Sequence, residues 1–114
     1  MVKIKKGRQT IAKNAEVAAS SISKVLGLMF RKKAAPILFE FEEDKRWAIH
    51  SLFVFFSFDA VFLDANYVVV DVFQSVKPFT LYIRPRRKCR FLLEMPAGFA
   101  RKFKIKCGEK ISVV

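Results

Sequence analysis

Short strand-like apolar runs separated by polar turns make up most of the chain after its first third. After Pro36, Ile37-Leu38-Phe39-Glu40-Phe41 sets Phe39 and Phe41 against Glu40, the pattern of a strand. Glu42 to Arg46 is polar throughout and reads as a turn. Ile49 to Phe56 is rich in β-branched and aromatic types, which fit a pleated surface. Ser57 lets the chain turn, and Phe58 to Leu63 resumes the strand pattern. Asp64-Ala65-Asn66-Tyr67 is a turn, because Asp and Asn bond their own backbone, and Val68 to Phe73 is the second arm of a hairpin. Further on, Leu81-Tyr82-Ile83 is a short apolar run and Arg84 to Lys88 a basic loop stiffened by Pro85. Arg90 to Met95 is a strand ended by Pro96-Ala97-Gly98. Phe99 to Ile105 leads to the turn at Cys107-Gly108-Glu109, with Lys102–Lys106 read as strand-like, and Ile111 to Val114 closes the chain as a short strand.

The N-terminal third supports two readings. Ile11, Ala15, Ala18, Ile22, Val25 and Met29 recur at helical spacing, as in one long helix. The start and stop signals favour a shorter helix, with Ser20 or Ser21 as N-cap and Gly27 just past its end in the left-handed conformation. Thr10 to Ala19 is then a first strand. The total is six or seven short strands with one or two short helices. That predicts an α+β domain, mainly antiparallel β, with a curled or barrel-like sheet.

At 114 residues the chain is long enough for one core and too short for two, so residues 1–114 are read as a single domain. Residues 1–9 are a basic N-terminal segment, either an edge strand or a partly flexible one. Thirteen Phe and 53% hydrophobic residues exclude disorder. The longest apolar stretch, Trp47 to Leu63, contains His50, Ser51, Ser57 and Asp59, which argues against a membrane span. Met1 to Arg8 is basic like the start of a signal peptide, but Lys13, Asn14 and Glu16 interrupt any apolar region after it. A cytoplasmic protein is expected. Two cysteines, Cys89 and Cys107, with one His and no C-x-x-C, give neither a disulfide framework nor a metal site; free thiols are the simpler reading. No cofactor motif is present.

The formal charge of +12 is regional. Residues 1–33 carry nine Lys/Arg and one Glu; residues 34–83 carry three Lys/Arg and seven Asp/Glu; residues 84–114 carry ten Lys/Arg and two Glu. A mildly acidic, Phe-rich middle is flanked by two basic ends.

Four segments in order resemble a known family. Gly27-Leu28-Met29-Phe30-Arg31 is similar to the G-L-M-x-R signature of the uncharacterised family called domain of unknown function 192. Phe58-Asp59-Ala60-Val61-Phe62-Leu63-Asp64 resembles its L-D-x-x-F-hydrophobic-D strand. Leu93-Glu94-Met95-Pro96-Ala97-Gly98 resembles its L-E-x-x-A-G segment, and Ile105 to Glu109 its closing I-x-x-G-D, with Glu for Asp. The likeness covers roughly residues 10–114. His50 to Phe56 looks most like the archaeal branch and lacks the M-x-N-T segment of many bacterial members. The resemblance implies a compact β-rich α+β fold and no established activity.

Asp59 is the centre of interest. Alternation puts it with Val61 and Leu63 on one face, and an acid on an apolar strand must be bonded or paired. It is either a pocket carboxylate or a buried acceptor that caps the amides of the 27–31 turn or pairs with Arg31. His50 is a candidate base with no evident partner; Trp47 and Met29 are candidate pocket walls. Gly27, Glu94, Gly98 and Gly108 are assigned structural roles. The basic residues form a second set of candidates: Arg84, Arg86, Arg87, Lys88 and Arg90, and Lys102, Lys104 and Lys106, with three of these alternating with Phe103 and Ile105. They suit phosphates, or are a solvated surface. The expected function is a binding or interaction module with a pocket near Asp59 and the Gly27–Arg31 turn. The alternative is a nucleic-acid-associated protein using the two basic clusters, and an unspecified enzyme ranks third.

Overall fold

A computed structural model describes residues 1–19, 35–49, 54–80 and 82–114. The expected helix from Ser20 or Ser21 to Gly27, and the candidates Met29, Arg31 and His50, lie outside the described residues. Seven strands form one sheet: β1 (Val2–Lys6), β2 (Gln9–Ala18), β3 (Ile37–Lys45), β4 (Phe58–Leu63), β5 (Val69–Val76), β6 (Cys89–Pro96) and β7 (Ser112–Val113). One short helix, α1 (Phe99–Lys102), follows β6. The order across the sheet is β5-β4-β6-β3-β2-β1-β7.

The mainly β character and the curl agree with the sequence pattern; the strand directions need correction. β2 and β3 are parallel, with Glu16 opposite Ile37 and Ala18 opposite Phe39, whereas every other pair is antiparallel. Alternation within a strand carries no information about direction. The long connection over residues 19–36 permits a parallel return, which a short turn could not.

The sheet is also not a closed barrel. Its C-terminal segment instead reaches from one end to the other. Val69 N–H donates to Glu109 O (2.8 Å), Gly108 N–H to Val69 O (2.8 Å) and Ile111 N–H to Tyr67 O (2.9 Å), which lays residues 108–111 along the start of β5. The chain then enters β7, which pairs with β1, and Lys3 and Val114 exchange two backbone bonds of 2.9 Å. The contact to β5 is a single bridge, Val68 to Lys110, so no ladder closes the sheet.

Other boundaries moved for local reasons. β3 continues through the polar residues to Lys45, with an irregularity between Glu40 and Lys45. There, Arg90 Nε donates to Phe41 O (2.9 Å) and its guanidinium faces Asp44, so polar side chains hold the strand at its rim. The expected strand Ile49–Phe56 shrinks, among its described residues, to one bridge between Ile49 and Ile83. The expected Lys102–Lys106 strand is instead the end of α1 followed by turns. Gly98 sits at φ 96°, and Lys102 and Phe103 N–H donate to Gly98 and Phe99 O (both 2.9 Å). Thr10–Ala19, ambiguous in sequence, is strand β2 almost throughout, and the basic N-terminus holds β1.

Both faces of the sheet are covered. Every residue of β4 is buried. Val61 and Leu63 join Ile4, Leu38, Leu93, Met95 and Ala100 on one side. Phe58, Ala60 and Phe62 join Ile37, Phe39, Ile83 and Leu92 on the other. Such a strand has no solvent face, which explains why all its residues but Asp59 are apolar. At the periphery, Lys6 locks β1 to the C-terminal turns. Its ammonium donates to Phe103 O (3.0 Å) and Lys104 O (2.7 Å) and pairs with Glu109 at 2.8 Å, while Glu109 also accepts the Lys106 N–H (2.8 Å).

Phe62 is fully buried and meets Phe73 edge-on at 5.8 Å. Phe62→Ala should cost about 3–5 kcal/mol, read as a lower urea midpoint at unchanged slope. A cost under about 1 kcal/mol would contradict its place in the core. The lock also predicts a pH effect. The bond from Lys6 holds the Glu109 carboxyl below its ordinary 4.5. A depressed carboxyl stabilises the fold above that ordinary value and stops doing so as pH falls through the lower folded value. Wild type should therefore exceed Glu109→Gln in urea midpoint at neutral pH, and the gap should close on acidification below 4.5. A gap that persists in acid would refute the lock.

Candidate functional site

The site begins with one irregularity in the β4–β5 ladder. Phe58 faces Val76 and Ala60 faces Phe73, so Asp59 alone stands opposite Gln74 and Ser75. This is a β-bulge, and Ser75 adopts the left-handed φ of 52°. A bulge releases a backbone N–H from the ladder, and Asp59 supplies the acceptor: Ser75 N–H donates to its Oδ1 at 2.8 Å. Its Oδ2 accepts from Gly98 (3.1 Å) and Ala100 (2.8 Å) at the start of α1. The Asp59 side chain is fully buried among these three amides. The acceptor role expected from sequence is thus occupied by Ser75, Gly98 and Ala100, while the 27–31 turn lies outside the described residues.

An open groove of about 730 Å³ runs along β5. β5 contributes Val72, Phe73, Gln74 and Val76, so the bulge held by Asp59 shapes this wall from behind. Arg46, Thr80, Tyr82, Ile83 and Arg84 supply the remaining described lining, and no acid is among them. The Ile49–Ile83 bridge brings the Arg46 and Tyr82–Arg84 segments together, with bonds of 2.8 Å in both directions. The two arginines brace each other through the main chain. Arg46 Nε donates to Pro85 O (2.8 Å) and Arg84 Nε to Arg46 O (3.2 Å). Their terminal Nη groups make no bond to any other described residue. Of the acids just before Arg46, Glu43 pairs with Lys45 at 2.8 Å and Asp44 with Arg90 at 3.6 Å.

Three exposed aromatic residues belong to this region. Tyr82 is 63% exposed, Phe55 59% and Phe79 50%, and the two phenylalanines meet edge-on at 5.7 Å. Phe79 immediately precedes Thr80 of the groove wall. Trp47 is half-buried, stacked on Phe41 at 4.9 Å, with its Nε1 donating to Glu43 O (2.8 Å). It adjoins Arg46 in the chain and is absent from the described lining of the groove.

The basic candidates divide between two places. The Arg84–Lys88 loop is tied to the edge of β5 by buried Asp71. Its Oδ2 accepts the Arg86 N–H (3.0 Å) and its Oδ1 lies 3.4 Å from the Arg86 guanidinium. Arg87 and Lys88 are exposed, and Arg90 is absorbed by Phe41 O and Asp44. Lys102, Lys104 and Lys106 remain exposed, but on a helix and turns instead of one flat strand, because Lys104 takes φ 53°. Lys102 lies over the Phe99 and Phe103 rings. Of the residues given structural roles, Gly98 is the bend at the α1 start and Gly108, at φ 90°, the turn that docks on β5. Glu94 is buried on β6 opposite Ile37 and Ala60. Cys89 is buried and Cys107 exposed, both free, and burial pushes the Cys89 thiol up.

Arg46, Gln74, Tyr82 and Asp71 are absent from the sequence-based site. Arg46 read as a turn residue and Tyr82 as part of an apolar run. Only the non-local bridge from Ile49 to Ile83 unites them. Asp71, an acid in a β-branched strand, carried the same signal as Asp59.

The DUF192 family model, described as "Uncharacterized ACR", matches residues 2–113. A UPF0127 protein of Pyrococcus horikoshii is 38% identical over 97 residues, 83% of each chain. Two crystal structures share the fold. One, "a putative transcription regulator" from Sinorhizobium meliloti 1021, has a TM-score of 0.87 and 20% identity, covering 98% of this chain and 91% of its own. The other, a protein of unknown function from Novosphingobium aromaticivorans DSM 12444, has a TM-score of 0.86 and 19% identity, covering 97% and 82%. The chain belongs to the DUF192 family, an uncharacterised family whose curated relatives here are archaeal. Among the described residues no helix is long and apolar enough to cross a membrane.

Removing the Asp59 carboxyl leaves three amides without their acceptor, that of Ala100 buried and those of Ser75 and Gly98 partly so. Asp59→Ala should cost at least about 3 kcal/mol. Asp59→Asn, which turns an NH₂ toward N–H donors, should cost at least about 1 kcal/mol. Urea unfolding measures both, and an Asn variant as stable as wild type would contradict the three-amide assignment.

Proposed function

We propose that this protein is a binding module that takes a phosphate-bearing ligand in the groove along β5. The reading keeps a pocket governed by Asp59 but moves the ligand off the carboxyl. Asp59 is enclosed by amides and shapes the groove through Ser75 and Gln74. One observation carries it. Arg46 and Arg84 are fixed by their Nε atoms on carbonyls and keep their Nη pairs unbonded among the described residues, on a wall with no acid. Guanidinium groups held in this way are pre-organised donors for phosphate oxygens. The groove is open, and the lining holds no paired carboxylates, thiol or histidine among its described residues, which favours binding over covalent chemistry.

Sodium tripolyphosphate, an anion without rings, tests the reading. Trp47 is the single tryptophan and neighbours Arg46, so its emission reports the titration. Wild type should show saturable, salt-sensitive binding, and Arg46→Ala and Arg84→Ala should each weaken it at least about tenfold, as expected for a charge-assisted hydrogen bond of about 1.5–3 kcal/mol. Equal affinity in all three proteins would place any anion binding elsewhere.

A further inference from the structure

We infer that the occupant of this groove is single-stranded nucleic acid, with phosphates on Arg46 and Arg84 and an unpaired base against Tyr82. The inference rests on the phosphate reading above and adds the aromatic half of the site. A ligand that is only an anion leaves Tyr82, Phe55 and Phe79 unexplained. All three are at least half exposed, although the same chain buries Phe58 and Phe62 completely. Exposed rings beside a cationic groove are the combination that holds single strands: the positive groove tracks the backbone, and ring faces stack on bases without regard to sequence. Duplex bases are stacked on each other and offer no free face to such a ring.

The charge continues beyond the groove in the right way for a polymer. Asp71 fixes the Arg86 main chain against β5, and Arg87 and Lys88 project from the same loop into solvent. Arg46, Arg84, Arg87 and Lys88 therefore form a run of cations longer than a single phosphate group needs. With four such contacts the logarithm of affinity should fall against log salt with a slope of about −3, at roughly 0.7 per phosphate for a single strand.

Fluorescence anisotropy with labelled oligo-dT and oligo-rU of twelve nucleotides, and a duplex of the same length, tests this on the intact chain. Tyr82→Ala should weaken both single strands about tenfold or more, as loss of one stacked base does. It should leave tripolyphosphate binding unchanged within about twofold. Arg84→Ala should weaken all of these ligands and reduce the salt slope by about 0.7. Single strands should bind more tightly than duplex. Tyr82 and Phe79 are surface residues, so Tyr82→Ala and Phe79→Ala should fold normally by circular dichroism. If tripolyphosphate binds through Arg84 but Tyr82→Ala leaves oligonucleotide affinity intact, the groove takes phosphates and the single-strand inference falls alone. If oligonucleotide binding is lost only on replacing Lys102 and Lys104, the strand lies elsewhere and the inference is overturned. If neither tripolyphosphate nor oligonucleotide binds at low salt, both readings fail.

Discussion

Three backbone N–H groups converge on one carboxyl near the start of an otherwise apolar strand, and the functional end of the molecule depends on that convergence. Asp59 binds Ser75 on one side and Gly98 and Ala100 on the other. It thereby joins the β5 bulge, the fully buried strand β4 and the β6–α1 turn in a single contact. Burying a carboxyl is costly unless its lone pairs are satisfied, and three amides satisfy them. Ser75 holds a left-handed φ that a non-glycine residue adopts only when its surroundings over-determine it. The carboxyl is that surrounding. In turn the bulge sets Gln74 on the groove wall, so a fully buried acid determines the shape of a surface several residues away.

The second constraint comes from the ends of the chain. The curled sheet leaves β5 at one end, and residues 108–114 run from that strand to β1 without completing a ladder. Lys6 and Glu109 fasten the same corner electrostatically. One of the N-terminal cations, Lys6, therefore helps to close the fold. Arg90 likewise supports the rim of β3. Of the other cations, Arg46 and Arg84 line one groove, and Arg87 and Lys88 are exposed on the loop that Arg84 opens. The formal charge of +12 is thus spread over structural bonds, this groove and other exposed cations, Lys102, Lys104 and Lys106 among them.

The strand pattern was legible wherever burial is one- or two-sided and the neighbours are close in sequence. β4, the Asp64–Asn66 turn and β5 follow directly from alternation and Asx chemistry: Asp64 Oδ1 accepts the Asn66 and Val68 N–H groups. The parallel β2–β3 pair was not legible, because period-two alternation is the same in either direction. Neither was the helix at Phe99. Its Lys–Phe alternation mimics a strand, while the acceptor that stabilises its first turn is forty residues away on β4. The need of Asp59 for partners could be read from the sequence, but which amides it takes could not. The groove was hidden for the same reason: Arg46 and Tyr82 meet only through the Ile49–Ile83 bridge.

The most direct measurement is a map of backbone amide shifts in the labelled protein on addition of a twelve-nucleotide oligo-dT. The account predicts that the largest changes fall on Arg46, Gln74, Tyr82, Arg84 and Arg87, with Ser75 moving alongside Gln74. Lys102, Lys104 and Lys106 should stay near their free positions. Changes centred on the Lys102–Lys106 turn, or no changes at low salt, would contradict it.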